Sequence, residues 1–348
     1  MNSSFRLLKK HFQLDPKYSY LNHGSFGACP LPIFNERSKF QKEIEFQPVS
    51  FVDSRAAELL DWSRDALSSY LHCNKDDVVY FPNPTTAMNM VIRSLDLGPG
   101  DEVISSNHEY GAVERTWKFV SKKKGFSYKS IDIPLPFDKE DFINRIREGI
   151  TSKTKIIFLS HITSPTAIIF PIKEICALAK ELNIMTIIDG AHAPAQIDLN
   201  LDTLGADIYT GACHKWMLCP KGVAFLYASK EFQDKLEPLV VSWGWESDTP
   251  SHSQFLDYHQ YQGTNDVSAY LAVPSAIDFL NEHKWNDVRE YCHEKIIETR
   301  QILVETSGTD PICSDQDLGQ MTSVVIKTKD SEKLYKFLKQ NNIEVPVF

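Results

Sequence analysis

Ile184-Met185-Thr186-Ile187-Ile188-Asp189 is an almost unbroken apolar run that ends on a carboxylate and gives way to Gly190-Ala191-His192-Ala193-Pro194. A strand with one wet face alternates apolar and polar residues. This run does not, and neither does Ile156-Ile157-Phe158-Leu159 before it. Continuous apolarity marks strands covered on both faces, as in a parallel sheet flanked by helices. Outward from these two runs, the same reading predicts strands at 78–81, 103–106, 127–133, 155–161, 184–189, 207–210 and 223–228, and helices at 85–95, 112–124, 139–149 and 172–182. Their alternation predicts an α/β fold with a doubly wound, mostly parallel central sheet. Ligands of such sheets sit beyond the carboxyl ends of the strands.

Residues 1–71 precede this core as an N-terminal arm with two helices, expected to form part of a smaller unit. The large α/β domain is expected over 72–265. Residues 266–348 are expected to hold linking helices and a small C-terminal α+β domain. The linking helices would run over 267–305, followed by a strand at 323–327, a helix at 332–339 and a strand at 343–348.

The 348 residues are 42% hydrophobic and 24% charged, ordinary usage for a folded protein and ample for a large core. A formal charge of −9 suits phosphate backbones poorly, so nucleic acid is not an expected partner. Lys122-Lys123-Lys124, the nearest approach to a basic patch, closes a predicted helix, where cations match the negative end of the dipole. No run is apolar enough to span a bilayer, and residues 1–13 lack the apolar core of a secretion signal. Neither membrane nor export is therefore expected. Seven scattered cysteines without a C-x-x-C pair suit reduced thiols in a cytoplasm.

Three loops at predicted strand ends carry the chemistry. Asn83-Pro84-Thr85-Thr86-Ala87 opens a helix, whose free N–H groups and dipole favour an anion; alternatively Thr85 only caps the helix. Asp189 lies at the mouth of the sheet, where a buried carboxylate needs a cationic partner unless it serves as a cap. A lone Asp and His do not define a metal site, and none is expected. Lys215, in Gly211-Ala212-Cys213-His214-Lys215-Trp216, follows the strand ending near Thr210. Burial lowers an amine's pKa and makes it nucleophilic, which is how a Schiff-base lysine is prepared. Alone, Lys215 also reads as a surface lysine. The order anion loop, aspartate, lysine, each at a strand end, tells against that.

In this order the loops resemble the fold-type I pyridoxal 5′-phosphate (PLP) enzymes, specifically the class V aminotransferase family. The likeness is nearest to the isopenicillin N epimerase-like and cysteine desulfurase-like branch. It runs from Tyr20-Leu21-Asn22-His23-Gly24-Ser25-Phe26-Gly27 through His108-Glu109-Tyr110-Gly111-Ala112 and His161-Ile162-Thr163-Ser164-Pro165-Thr166. Its last motif is Gly263-Thr264-Asn265-Asp266, and the likeness covers nearly the whole chain from about Tyr20 onward. The resemblance implies a three-layer PLP-dependent transferase fold and an enzyme acting on an amino acid through an external aldimine and a Cα carbanion. Lys215 would hold the cofactor and move the Cα proton, Asp189 would pair with the pyridine nitrogen, and His192 would lie near the 3′-oxygen. Thr85, with the amides of Thr86 and Ala87, would hold the phosphate, and His214 would approach it. Tyr110, or His108 in its place, would stack on the ring. Thr264 would reach the cofactor phosphate of a second subunit, which implies a homodimer with shared sites. Asn22, His23 and Ser164 would face the substrate.

Asn265 stands where the branch commonly carries arginine. Ala212 stands where relatives often have a polar phosphate ligand, with Thr210 a nearby substitute. The arginine that usually clamps the substrate carboxylate late in the chain has no counterpart, the last arginine being Arg300; Arg55 is the alternative. Epimerase or C–S lyase chemistry, with His23 or Tyr110 as a second acid–base group, is the leading reading. Transamination, desulfuration and a non-catalytic PLP-binding role are the alternatives. Desulfuration needs a mobile cysteine; Cys313 is the one candidate in the C-terminal region and reads as an ordinary thiol.

Overall fold

The computed structural model describes residues 5 and 7–347. Its strands are β1 (Ser19–Tyr20), β2 (Val78–Phe81), β3 (Glu102–Ser106), β4 (Ser127–Ile131), β5 (Thr154–Ser160), β6 (Met185–Asp189), β7 (Ile208–Ala212), β8 (Ala224–Ala228) and β9 (Ile343–Glu344). Seven of them form one sheet in the order β2-β8-β7-β6-β5-β3-β4. β4, β3, β5, β6 and β7 pair in parallel, and β8 runs antiparallel to both β7 and β2. The sheet is thus mostly parallel, as the apolar runs predict.

The unbroken runs are covered twice over. Ile156, Phe158 and Ile187 pack with Trp117 and Phe126 on one face. Ile157, Leu159 and Ile188 pack with Phe142, Phe170 and Tyr209 on the other. Each such side chain contributes roughly 2 kcal/mol by leaving water. β4 is the edge strand. Its Ser127, Lys129 and Ser130 are exposed, and it stops at Ile131 rather than continuing to Ile133.

The C-terminal region departs from expectation. The helical stretch predicted over 267–305 is three helices, Ser268–Leu271, Val273–Glu282 and Trp285–Ser307. Pro274, at the start of the second, has no N–H to continue the first. Lys284, left-handed at φ 48°, separates the second from the third. Residues 323–327 form no strand. A strand needs a hydrogen-bonding partner, and β9 pairs with β1 of the N-terminal arm instead, Ser19 against Ile343 and Tyr20 against Glu344. The predicted strand 343–348 shortens to Ile343–Glu344, and Phe348 lies outside the described residues.

The chain crosses from β4 over β3 to β5, so the direction of winding reverses between β3 and β5. A crevice opens at such a switch point. Because β8 opposes both neighbours, β2 and β7 point the same way. The loops after β2, β3, β5, β6 and β7 therefore converge on one edge.

Candidate active site

Lys215 follows β7, and its Nζ lies 2.9 Å from Nε2 of His192. Burial pulls the amine's pKa down to about 8, against the opposing pull of Asp189. Asp189 ends β6, is 3% exposed and takes the Ala191 N–H on Oδ1 at 3.0 Å. Burial pushes its pKa up, while Ala191 and the Lys215 charge hold it down. His192, three residues after Asp189, is held below its usual pKa by burial first and the Lys215 and His214 charges next. The Trp216 indole N–H donates to its Nδ1 at 3.3 Å. Gly190 lets the loop lie on the sheet, since a Cβ there would come within 2.1 Å of the Tyr209 ring.

The anion loop is capped by Asn83, not by Thr85. The Asn83 Oδ1 accepts from the Thr86 N–H at 2.8 Å and from the Thr86 hydroxyl at 3.0 Å, while the Ala87 N–H reaches the Asn83 carbonyl at 3.3 Å. Thr85 is thereby freed from capping at the start of the helix Pro84–Ser94, while the Thr86 and Ala87 amides are already engaged. His214 donates through Nδ1 to the Val223 carbonyl at 3.1 Å, leaving Nε2 for another partner. Thr210 does not replace the missing polar group at 212: it is fully buried and donates to the Phe225 carbonyl at 2.7 Å.

Tyr110 and His108 separate cleanly. His108 is buried, with Nε2 on the Ile133 carbonyl and Nδ1 on the Thr166 hydroxyl, both at 2.9 Å. Tyr110 caps the helix Gly111–Lys124 with its ring half-exposed, free to meet a ligand. Asn22 and Ser164 are half-buried, and the Asn22 side chain makes no cap bond to the helix His23–Phe26 that it precedes.

His23 has a different job from the one expected. The Ala28 N–H reaches its Nδ1 at 3.3 Å, so the ring proton sits on Nε2, which donates to the Lys215 carbonyl at 3.1 Å. Burial holds its pKa down to about 4. With both nitrogens on main chain, His23 fixes the lysine loop and is not a second acid–base group. Gly27 (φ 53°) makes this approach fit, since a Cβ there would lie 2.1 Å from the His214 carbonyl oxygen.

Two expected residues, Arg55 and Thr264, stand apart from this cluster, as does Arg300. Arg55 pairs with Glu43 and Glu58 on the N-terminal arm. Thr264 lines an apolar groove with Phe51, Val52, Leu60 and Tyr261. Arg300 is buried against the Cys313 carbonyl and Asp315. Cys313 is buried too, its thiol pushed up to about 11.

Glu109 was not singled out from the sequence. It is 8% exposed and accepts from the Ser106 hydroxyl at 2.6 Å, the Ser160 N–H at 2.8 Å and the Ser160 hydroxyl at 2.6 Å. It thereby pins the loop carrying Tyr110 to β5, beside Asp189, which pairs with Ser160 in the sheet register. The available signal was its position between a strand end and the exposed aromatic. Burial, opposed by the serine donors and assisted by Asp189, pushes its pKa from 4.5 up to about 7. The native state is therefore penalised as pH rises from 4.5 to 7, when the unfolded glutamate ionises and the native one resists. Glu109→Gln should gain about 3 kcal/mol on the wild type across that window and nothing further above it. Urea unfolding at several pH values reads this directly, and a pH-independent difference would rule it out.

Comparison with known proteins agrees with this architecture. Residues 39–347 match the family described as aminotransferase class-V. Isopenicillin N epimerase of Amycolatopsis lactamdurans is 32% identical over 317 residues, covering 87% of this chain and 79% of that protein. A probable chloroplastic L-cysteine desulfhydrase of Arabidopsis thaliana is 28% identical over 363 residues, covering 96% and 75%. Among solved structures, a cystine C–S lyase in complex with its product cysteine persulfide superimposes with a TM-score of 0.84 at 18% identity, covering 96% of this chain and 91% of that one. At that identity the likeness speaks for the fold.

Proposed function

The chain belongs to the aminotransferase class-V family, and from that premise we propose that it is a PLP-dependent C–S lyase acting on a sulfur-bearing amino acid. Epimerisation at Cα is the second reading. The cofactor is pyridoxal 5′-phosphate, which when bound supplies an electron sink for charge developing at Cα. The residues present fit it: a buried amine of lowered pKa stands beside a buried carboxylate, and an uncapped threonine opens a helix on the same edge of the sheet.

Lys215 would hold the cofactor and take the Cα proton on Nζ. Asp189 would keep the pyridine nitrogen protonated, Thr85 and His214 would hold the phosphate, and Tyr110 would cover the ring. The observation that favours elimination over epimerisation is His23. Inversion with two acid–base groups needs one on each face of Cα; His23 is committed to the Lys215 carbonyl, which leaves Tyr110, proposed here to cover the ring, as the remaining candidate. Elimination needs only the lysine as base, with the Cβ–S bond breaking to release a thiol. Cys313, buried and poorly ionised, is a weak acceptor of sulfur, which argues against desulfuration.

A second copy of the chain is the proposed cover for the groove around Thr264 and for the exposed Trp243 and Val241 (84% and 67% exposed), bringing Thr264 to the neighbouring site. No helix among the described residues is long and apolar enough to cross a membrane. The seven free cysteines favour a reducing compartment such as the cytoplasm.

The test is incubation in deuterated water with a panel of amino acids, including thioether and sulfoxide substrates. A lyase releases pyruvate and ammonium together with a thiol from a thioether or a sulfenic acid from a sulfoxide, whereas an epimerase returns the inverted amino acid labelled at Cα. Unlabelled, unconverted substrate across the whole panel would overturn the enzyme reading.

A further inference from the structure

The contact between Trp216 and His192 decides where a proton sits. An indole nitrogen only donates, so the Trp216 Nε1–H at 3.3 Å requires the His192 Nδ1 to be a bare acceptor. A neutral imidazole carries one proton, which must then be on Nε2. That nitrogen lies 2.9 Å from the Lys215 Nζ. Because Nε2 donates, the lysine must accept through its lone pair, and an ammonium has none to offer. The bond therefore favours the neutral amine over the ammonium.

We propose that Trp216 is a positioning residue which fixes His192 as the Nε2–H tautomer, and that this tautomer favours the free amine of Lys215 before the cofactor arrives and donates to the cofactor's 3′-oxygen afterwards. The second half rests on the proposed placement of His192 in the PLP site; the first half does not. A hydrogen bond to the 3′-oxygen favours its anionic form, and only the Nε2–H tautomer can make one while Trp216 occupies Nδ1.

The surroundings keep this pair in place. Trp216 is 8% exposed and His192 5%. The Gln196 side chain donates to the His192 carbonyl at 2.7 Å, anchoring the backbone beneath the ring. The His23 ring lies 5.2 Å from the Trp216 ring, centroid to centroid. Gly24 closes over both: a Cβ there would sit 3.4 Å from each of His192 Cε1 and Trp216 Cζ2. Burial foremost, and then the basic neighbours Lys215 and His214, disfavour imidazolium at His192, so the neutral ring with one choice of tautomer is the state that matters.

Proton–nitrogen correlation spectra of protein carrying isotope-labelled histidine distinguish the two tautomers, with His192 assigned from the peak lost in His192→Asn. We expect the wild type to show His192 protonated at Nε2 and bare at Nδ1, with and without PLP. Trp216→Phe keeps an aromatic ring but removes the donor. It should move the tautomer ratio about five-fold towards Nδ1–H, the worth of one ordinary hydrogen bond. A purely packing role for Trp216 would leave the ratio unchanged, which overturns the proposal. So would a wild type protonated at Nδ1, a measurement that stands even if the variant fails to fold. A protein that shows the Nε2–H tautomer yet never binds PLP would sink the cofactor reading and spare the tautomer assignment.

Discussion

Lys215→Ala is expected to yield a folded protein that no longer forms a borohydride-reducible bond to PLP and whose turnover falls by roughly 10⁴-fold or more. Both effects follow from one atom. On the proposed function, Nζ is the nucleophile that attaches the cofactor and the base that takes the Cα proton, and its pKa of about 8 leaves a usable fraction neutral near pH 7. Folding should survive because the native site disfavours the lysine's charge. A base whose pKa is depressed by folding weighs against the native state at pH below that depressed value, and the penalty fades as pH rises towards 10.5. Removing the side chain at neutral pH relieves that penalty. Mass spectrometry after borohydride treatment checks the attachment, and a thermal melt checks the fold. Turnover within tenfold of the wild type would remove Lys215 from the chemistry altogether.

Asp189→Asn should separate binding from catalysis. We expect the borohydride-trapped bond to Lys215 to persist while turnover drops about 10²- to 10³-fold, the usual loss when a preorganised electrostatic partner is removed. The carboxylate lies 3% exposed at the end of β6, where water contributes little screening, so its charge acts at close to full strength on a cation placed against it. An amide of the same shape keeps the Ala191 N–H contact but cannot hold a pyridine nitrogen protonated. Turnover by the variant equal to the wild type, with cofactor bound, would mean that Asp189 is a loop cap and nothing more.

Much of this was readable from the chain because local pattern and tertiary role coincide there. Ile156–Leu159 and Ile187–Ile188 are apolar on both faces because both faces are covered, so their pattern reports the architecture. The burial of Asp189 and Lys215 at one edge of the sheet was legible because the ends of parallel strands share that edge. The residues that escaped notice act across the sheet. Glu109 matters because β3 lies beside β5, an order that alternation alone does not specify. Trp216 next to a lysine reads as bulk until His192, 24 residues earlier, is seen to accept its N–H. His23 was assigned to the substrate from its motif, whereas its partner is the main chain of Lys215, 192 residues on. Residues 323–327 failed for the opposite reason: their β-like composition is real, but no neighbouring strand is there to pair with them.

The docking of the segment around Gly27 onto the lysine loop has a consequence for the order of unfolding. Most strands of the sheet close with near neighbours in the chain, β2 against β8 being the long-range exception. The His23 contact spans 192 residues and ties two main-chain segments through a single side chain. Closing so long a loop costs roughly 1–2 kcal/mol more than closing one of about 30 residues, with few contacts to offset it. We therefore expect the roof over Lys215 to open on heating before the sheet does, so that catalytic competence is lost ahead of the fold.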